Sequence, residues 1–126
     1  MSAKSIPTTP ITLYASAART ATPSATSVNR IQGNYRGLLV QIDCTAVTAT
    51  PSVTFTVQDA SPDDWTTVLA SAAVTAVGTT NLICHPDAVD RANLSENTAM
   101  RSKWRLIATH ADADSITYSV KAWLLA

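Results

Sequence analysis

The residues best able to do chemistry fall in three short clusters: His110-Ala111-Asp112-Ala113-Asp114, His85-Pro86-Asp87, and Asp59 with Asp63, Asp64 and Trp65. The first sets an imidazole and two carboxylates within five residues, a donor set that could suit a divalent cation. Asp and Ala are equally the residues of a tight β-turn, and this loop offers few oxygens for a calcium cage. His85-Pro86-Asp87 reads as a turn ending a strand, and the acids around Trp65 as either a sugar or cation site or a solvated turn. Nucleophilic catalysis finds no support, because no GxSxG elbow is present to set a serine beside a base and an orienting acid. Three glycines, Gly33, Gly37 and Gly78, make no phosphate cradle. Glu96 is the sole glutamate, and no pair of carboxylates stands out as an acid/base couple. The expectation is a protein that is not an enzyme, with no metal and no cofactor.

The elements that position these groups read as β-strands. Gly37 to Val47 alternates Leu38, Val40, Ile42 and Cys44 inward with Leu39, Gln41, Asp43 and Thr45 outward. Pro51 interrupts, since it cannot donate to a ladder, and Val53, Phe55 and Val57 resume the inward face. Threonine takes five of the seventeen positions of DCTAVTATPSVTFTVQD. Its branched Cβ favours extended backbone, and its hydroxyl tolerates solvent. Ile11 to Ala17 is a first short strand, Thr66 to Ser71 another, and Ala73 to Cys84 a hairpin around Gly78. Ala46-Val47-Thr48-Ala49 recurs as Ala73-Val74-Thr75-Ala76, through duplication or through two hairpins built of the same residues. Residues 85–100, HPDAVDRANLSENTAM, break the pattern and are expected to hold one helical turn. Arg101 to His110 points Trp104, Leu106 and Ala108 inward, Ala111 to Asp114 makes a hairpin turn, and Ile116 to Leu125 closes the chain. Trp123 and Leu125 then share the outer face with Lys121. Seven to eight evenly spaced strands with almost no helix predict an all-β fold, an antiparallel β-sandwich of jelly-roll kind.

With 126 residues the chain is long enough for one core. Residues 1–10, with two prolines, read as an extended N-terminal arm, and residues 11–126 as a single sandwich domain. Only 14% of residues are charged, against about 25% in typical domains, which suits a surface that packs on other protein. Lys4, Arg19, Arg30 and Arg36 give the first 36 residues a charge of +4, and the remainder carries −4. Such an arm is suited to an acidic partner surface or to solvent, but is too sparsely basic for nucleic acid. Arg101, Lys103, Arg105 and Lys121 with Trp123 form a basic, aromatic strip whose field the acids of the same body oppose. No apolar leader follows Met1 and no run approaches the ~20 residues of a spanning helix, so the expectation is a cytoplasmic product without a membrane partner. Cys44 and Cys84 both sit in apolar strand patterns as buried thiols, and whether they pair stays open.

Four segments taken together, YASAARTAT, YRGLLVQIDCTAVTATPSVTFTVQ, TVLASAAVTAVGTTNLICHP and KWRLIATHADADSITYSVKAWLL, resemble a family of small virion proteins of tailed bacteriophages. The resemblance runs in order from Tyr14 onward, and THADADSITYSV is its most specific part. It implies a capsid decoration (cement) protein, made in the host cytoplasm. Such proteins bind the outer surface of the assembled shell and bridge major capsid proteins, here with sister copies as dimer or trimer. Where that family often has a Gly/Lys-rich loop this chain has ASPDDW, so nothing is carried over for that loop. Under this reading the contact residues are Lys4 and Ile6 on the arm, Arg19, Arg30 and Arg36 on or beside the polar segment 19–35, and Trp123 with Leu125. A tail or head-fibre component and a host- or glycan-binding sandwich using Trp65 are the other readings.

Overall fold

The computed structural model describes residues 10–26, 29–30, 35–60, 64–101 and 103–125, with backbone alone at 29–30. Residues 1–9 of the expected arm, with Lys4 and Ile6, lie outside the described residues, as does Asp63. Among the described residues nine strands follow in order: β1 (Ile11–Arg19), β2 (Asn29–Arg30), β3 (Gly37–Val47), β4 (Val53–Ala60), β5 (Trp65–Ala70), β6 (Gly78–Cys84), β7 (Ser95–Glu96), β8 (Lys103–His110) and β9 (Ile116–Leu125). They form a five-stranded sheet, β1-β9-β3-β6-β7, and a four-stranded sheet, β2-β8-β4-β5. Every pair is antiparallel except β6 with β7. The fold is thus an all-β sandwich. Among the described residues no helix is long and apolar enough to cross a membrane.

Alternation places the core between the sheets. Leu38, Val40, Ile42 and Cys44 of β3 face Val53, Phe55 and Val57 of β4, with Trp104, Leu106 and Ala108 of β8 and Tyr118, Val120 and Ala122 of β9; all are buried. The rings meet edge to face, Phe55 on Tyr118 at 5.0 Å and Tyr14 on Tyr118 at 6.2 Å between centroids, the geometry that ring quadrupoles favour. In β1 the pairing shifts register twice, between Thr12 and Tyr14 and between Tyr14 and Ala17, and the first shift is the one that turns Tyr14 inward. That bulge breaks the simple alternation, so Tyr14 is buried while Ile11 and Leu13 also pack on the core and Ala15 is exposed.

Three connections expected as hairpins are corners that pass from one sheet to the other. β3 pairs with β9 in the first sheet and β4 with β8 in the second. The turns 48–52 and 111–115 therefore run side by side and fold one long two-stranded ribbon over the core, the jelly-roll manoeuvre. Cross-turn bonds hold the bend: Thr48 N donates to Ser115 O (2.9 Å), Ala111 N to Ser52 O (2.9 Å), and Thr50 N to the Asp114 carboxylate (3.1 Å). Ala49 takes a left-handed φ of 61° to make it. The expected hairpin around Gly78 is the third case. Residues 71–77 cross between sheets, touching β4 through the Val53–Val74 bridge, and Gly78, at φ 153°, opens β6. Residues 85–100 form turns and the two-residue β7, without the helical turn expected there. Arg101 precedes β8 and does not join its face.

The described part of the polar segment 19–35 is not a free loop. Thr26 N donates to Leu106 O (3.0 Å), Thr26 Oγ1 accepts from Leu106 N (2.8 Å), and Thr22 Oγ1 accepts from His110 N (2.9 Å). With β2, these bonds cover the open edge of β8.

Candidate protein-binding face

Outward positions of neighbouring strands share one face, and the register decides which of them meet. Trp123 lies opposite Leu39, and Leu39 opposite Ile83, so three apolar side chains form a row across β9, β3 and β6. All three are half-buried, as is Leu125, which pairs with Gly37 one step nearer the end of the sheet. The next rows inward are polar: Lys121, Gln41 and Asn81, then Ser119, Asp43 and Thr79. The apolar patch is therefore confined to one end of the five-stranded sheet.

Gly37 shapes that end. A Cβ there would sit 2.4 Å from Cys84 O and 2.6 Å from His85 Cδ2. The His85 ring thus lies against the bare glycine, buried, with its Nδ1 accepting the Asp87 amide at 3.0 Å. Arg36 and Asp87 form the rim as an ion pair at 3.7 Å, with side chains 50% and 59% exposed. Such a pair holds less than ~1 kcal/mol in water and remains available to a partner.

Three of the expected contact residues, Arg36, Trp123 and Leu125, are brought together here. Pro10, where the described chain begins, is adjacent, because Ile11 pairs with Ala122. Arg30 lies at the same end on the other sheet, its backbone paired with Lys103. Arg19 is separated from them, at the far end of β1, and its guanidinium is committed to the fold. It donates to Tyr118 O (2.9 Å), Ala15 O (2.7 Å) and Ala17 O (3.2 Å), and stacks over the Tyr118 and Tyr14 rings at 4.5 and 5.3 Å. Leu39 and Ile83 were not singled out as contacts. The signal for Leu39 was its outward place in a strand, but its neighbour Trp123 comes from the chain's far end.

The chemical clusters resolve into structural parts. Asp114 accepts from Thr50 N and Oγ1 (3.1 and 3.3 Å), and Asp112 accepts the Asp114 amide (3.0 Å). His110 Nε2 meets the Tyr118 hydroxyl at 3.0 Å. Burial, then the Arg19 charge, lowers the His110 pKa against an opposing effect of Asp112, and burial pushes the Tyr118 hydroxyl up to about 12. Among the described residues no three His, Cys, Asp or Glu gather around a common point for a metal. Trp65 carries the Arg105 guanidinium over its ring at 4.2 Å, steadied by Arg105 Nε donating to Gln58 (3.0 Å), so that ring face is covered. Asp59 is buried, accepting Arg101 N at 3.1 Å and Nη1 at 3.5 Å.

Cys44 pairs with Gly78, and Cys84 with Leu38. Six residues of strand, ~20 Å, separate the two thiols, far beyond disulfide reach; both are free and buried. No protein-family model, no curated protein and no solved structure matches this chain.

Proposed function

We propose that this protein is a virion structural protein without catalytic activity, a decoration protein. It docks through the apolar end of its five-stranded sheet on the outer surface of a phage capsid and stabilises contacts between major capsid proteins. The observation that carries the reading is the Trp123–Leu39–Ile83 row with Leu125 beside it, rimmed by the Arg36–Asp87 pair. A tryptophan flanked by aliphatic side chains and ringed by polar groups is the usual composition of an interface hot spot. The ordered resemblance from Tyr14 onward supplies the partner class, and the low charge of the chain fits a surface that packs on other protein.

Trp123→Ser is expected to lower occupancy on purified empty shells at least tenfold, the scale of a hot-spot truncation. Ile107→Ser, on the outer face of the other sheet, is expected to leave occupancy unchanged. Tails and immobilised glycans are the comparison arms. Undiminished shell binding by Trp123→Ser, or binding to tails or glycans in place of shells, would overturn the proposal.

A further inference from the structure

The five-stranded sheet has an edge that is built to accept another strand. Ile83 N donates to Leu94 O (3.0 Å) and His85 N to Glu96 O (3.1 Å), so these amides point away from β3 toward β7. Alternation aims the main-chain groups of Asn81 and Thr79 the same way. There β7, two residues long and paired only with Ile83 and Cys84, no longer reaches. Among the described residues no backbone partner meets Thr79 or Asn81 on that side. Native edges are normally blunted by charge, proline or a bulge. β6, GTTNLIC, has none of these, and its pairing with β3 is regular.

A groove of about 450 Å³ lies along this edge, walled by the crossover Ala72–Val77 and the turn Ala92–Leu94. Asn93 fixes that turn, with a left-handed φ of 62° and its side-chain amide on Ala70 O at 3.0 Å. Val77 and Leu94, 62% and 47% exposed, flank the groove. Open backbone groups beside apolar walls make a β-augmentation site: the ladder gives affinity and the pocket takes an alternate side chain.

We propose that this edge receives the N-terminal arm of a second copy of the chain, with Ile6 seated between Val77 and Leu94. Nine residues precede Pro10, and Ile6 is the branched aliphatic residue among them. The chain's own arm does not reach. Ile6 is five residues from Ile11, a span of at most ~18 Å. The vacant position beyond β6 is four strand spacings from β1, ~19 Å in a straight line, before any detour over the side chains of the face. When Ile6 turns its main chain toward Thr79, which lines the groove, alternation turns the nitrogen of Pro7 outward, where its missing N–H costs no ladder bond. Arm and groove are different surfaces, so copies join either as a reciprocal two-fold pair or head-to-tail as a closed ring. It leaves the Trp123 face free for the shell and is independent of the shell-binding proposal.

Sedimentation of the full chain without capsid tests it. The unmodified protein is expected to run as an oligomer at tens of micromolar. Ile6→Asp and Val77→Asp, the second at an exposed position, are each expected to weaken self-association at least tenfold with unchanged circular dichroism and melting temperature. A 1:1 mixture of the two variants is expected to recover part of the association as mixed pairs, because one variant supplies an intact groove and the other an intact arm, giving one intact contact per pair. A monomeric unmodified chain, association surviving either substitution, or a mixture that stays monomeric would overturn the proposal; association that survives Ile6→Asp would point to like-with-like pairing of edges.

Discussion

Gly37→Ala adds one methyl group at the point where β3, β6 and the His85 ring converge. The new carbon would lie 2.4 Å from Cys84 O, 2.6 Å from His85 Cδ2 and 3.0 Å from His85 Cβ, the closest about 1 Å inside ordinary contact. The nearest atom is backbone, and Cys84 is held in the ladder opposite Leu38, so relief requires the end of β6 to move. Forcing a methyl into a filled site costs about 1–3 kcal/mol. The opposing gain from a stiffer unfolded chain, about 0.4–1 kcal/mol for Gly→Ala, leaves the substitution destabilising. Net of that gain the loss is up to about 2.5 kcal/mol, for a domain of this size a fall in melting temperature of up to about 10 °C, readable by calorimetry. Because His85 is displaced from beside the apolar row, shell occupancy is expected to fall with stability. The double variant Gly37→Ala/His85→Ala is expected to remain destabilised, since the carbonyl clash persists. A Gly37→Ala protein that melts at or above the parent temperature would refute the close-approach argument.

Four further outcomes follow from other parts of the fold. An unfolded histidine titrates near 6.5, and burial lowers the His110 value in the folded protein. The folded state therefore binds fewer protons, and the stability His110 contributes above pH ~6.5 is lost as pH falls through that range toward its folded pKa; His110→Gln should flatten the melting temperature between pH 7.5 and 5. Burial raises both thiol pKa values, Cys84 to about 12, so Ellman's reagent at pH 8 should find no reactive thiol in the folded protein and two after guanidinium. At the corner, Ala49→Gly should gain about 0.5–1 kcal/mol by relieving a left-handed alanine. Asp114→Ala should lose about 1 kcal/mol with the Thr50 bonds, both read by urea denaturation.

Period-2 alternation is a local property of extended backbone, which is why the sequence alone determined the strands and their faces. Leu38 to Cys44 and Trp104 to Ala108 face the core as their spacing requires, and Trp123 and Leu125 stand on the outer side of β9. The bulges in β1 disturbed this, because an inserted residue changes phase without changing composition, and residues 73–77, expected as one arm of a hairpin, form the crossover into β6 instead. Which strands pair was a different matter. A short polar turn such as TATPS or ADADS fits a hairpin within one sheet as well as a corner between two, and burial of both ribbon faces around one core decided for the corner. The same long-range choice fixed the function of individual side chains. Arg19 looked like a free contact cation until β1 met β9 and set its guanidinium over Tyr118, which is 99 residues away in sequence. Trp123, Leu39 and Ile83 each looked like a single outward apolar residue. They became a patch because hydrogen-bond register, which depends on all the strands at once, laid them in one row.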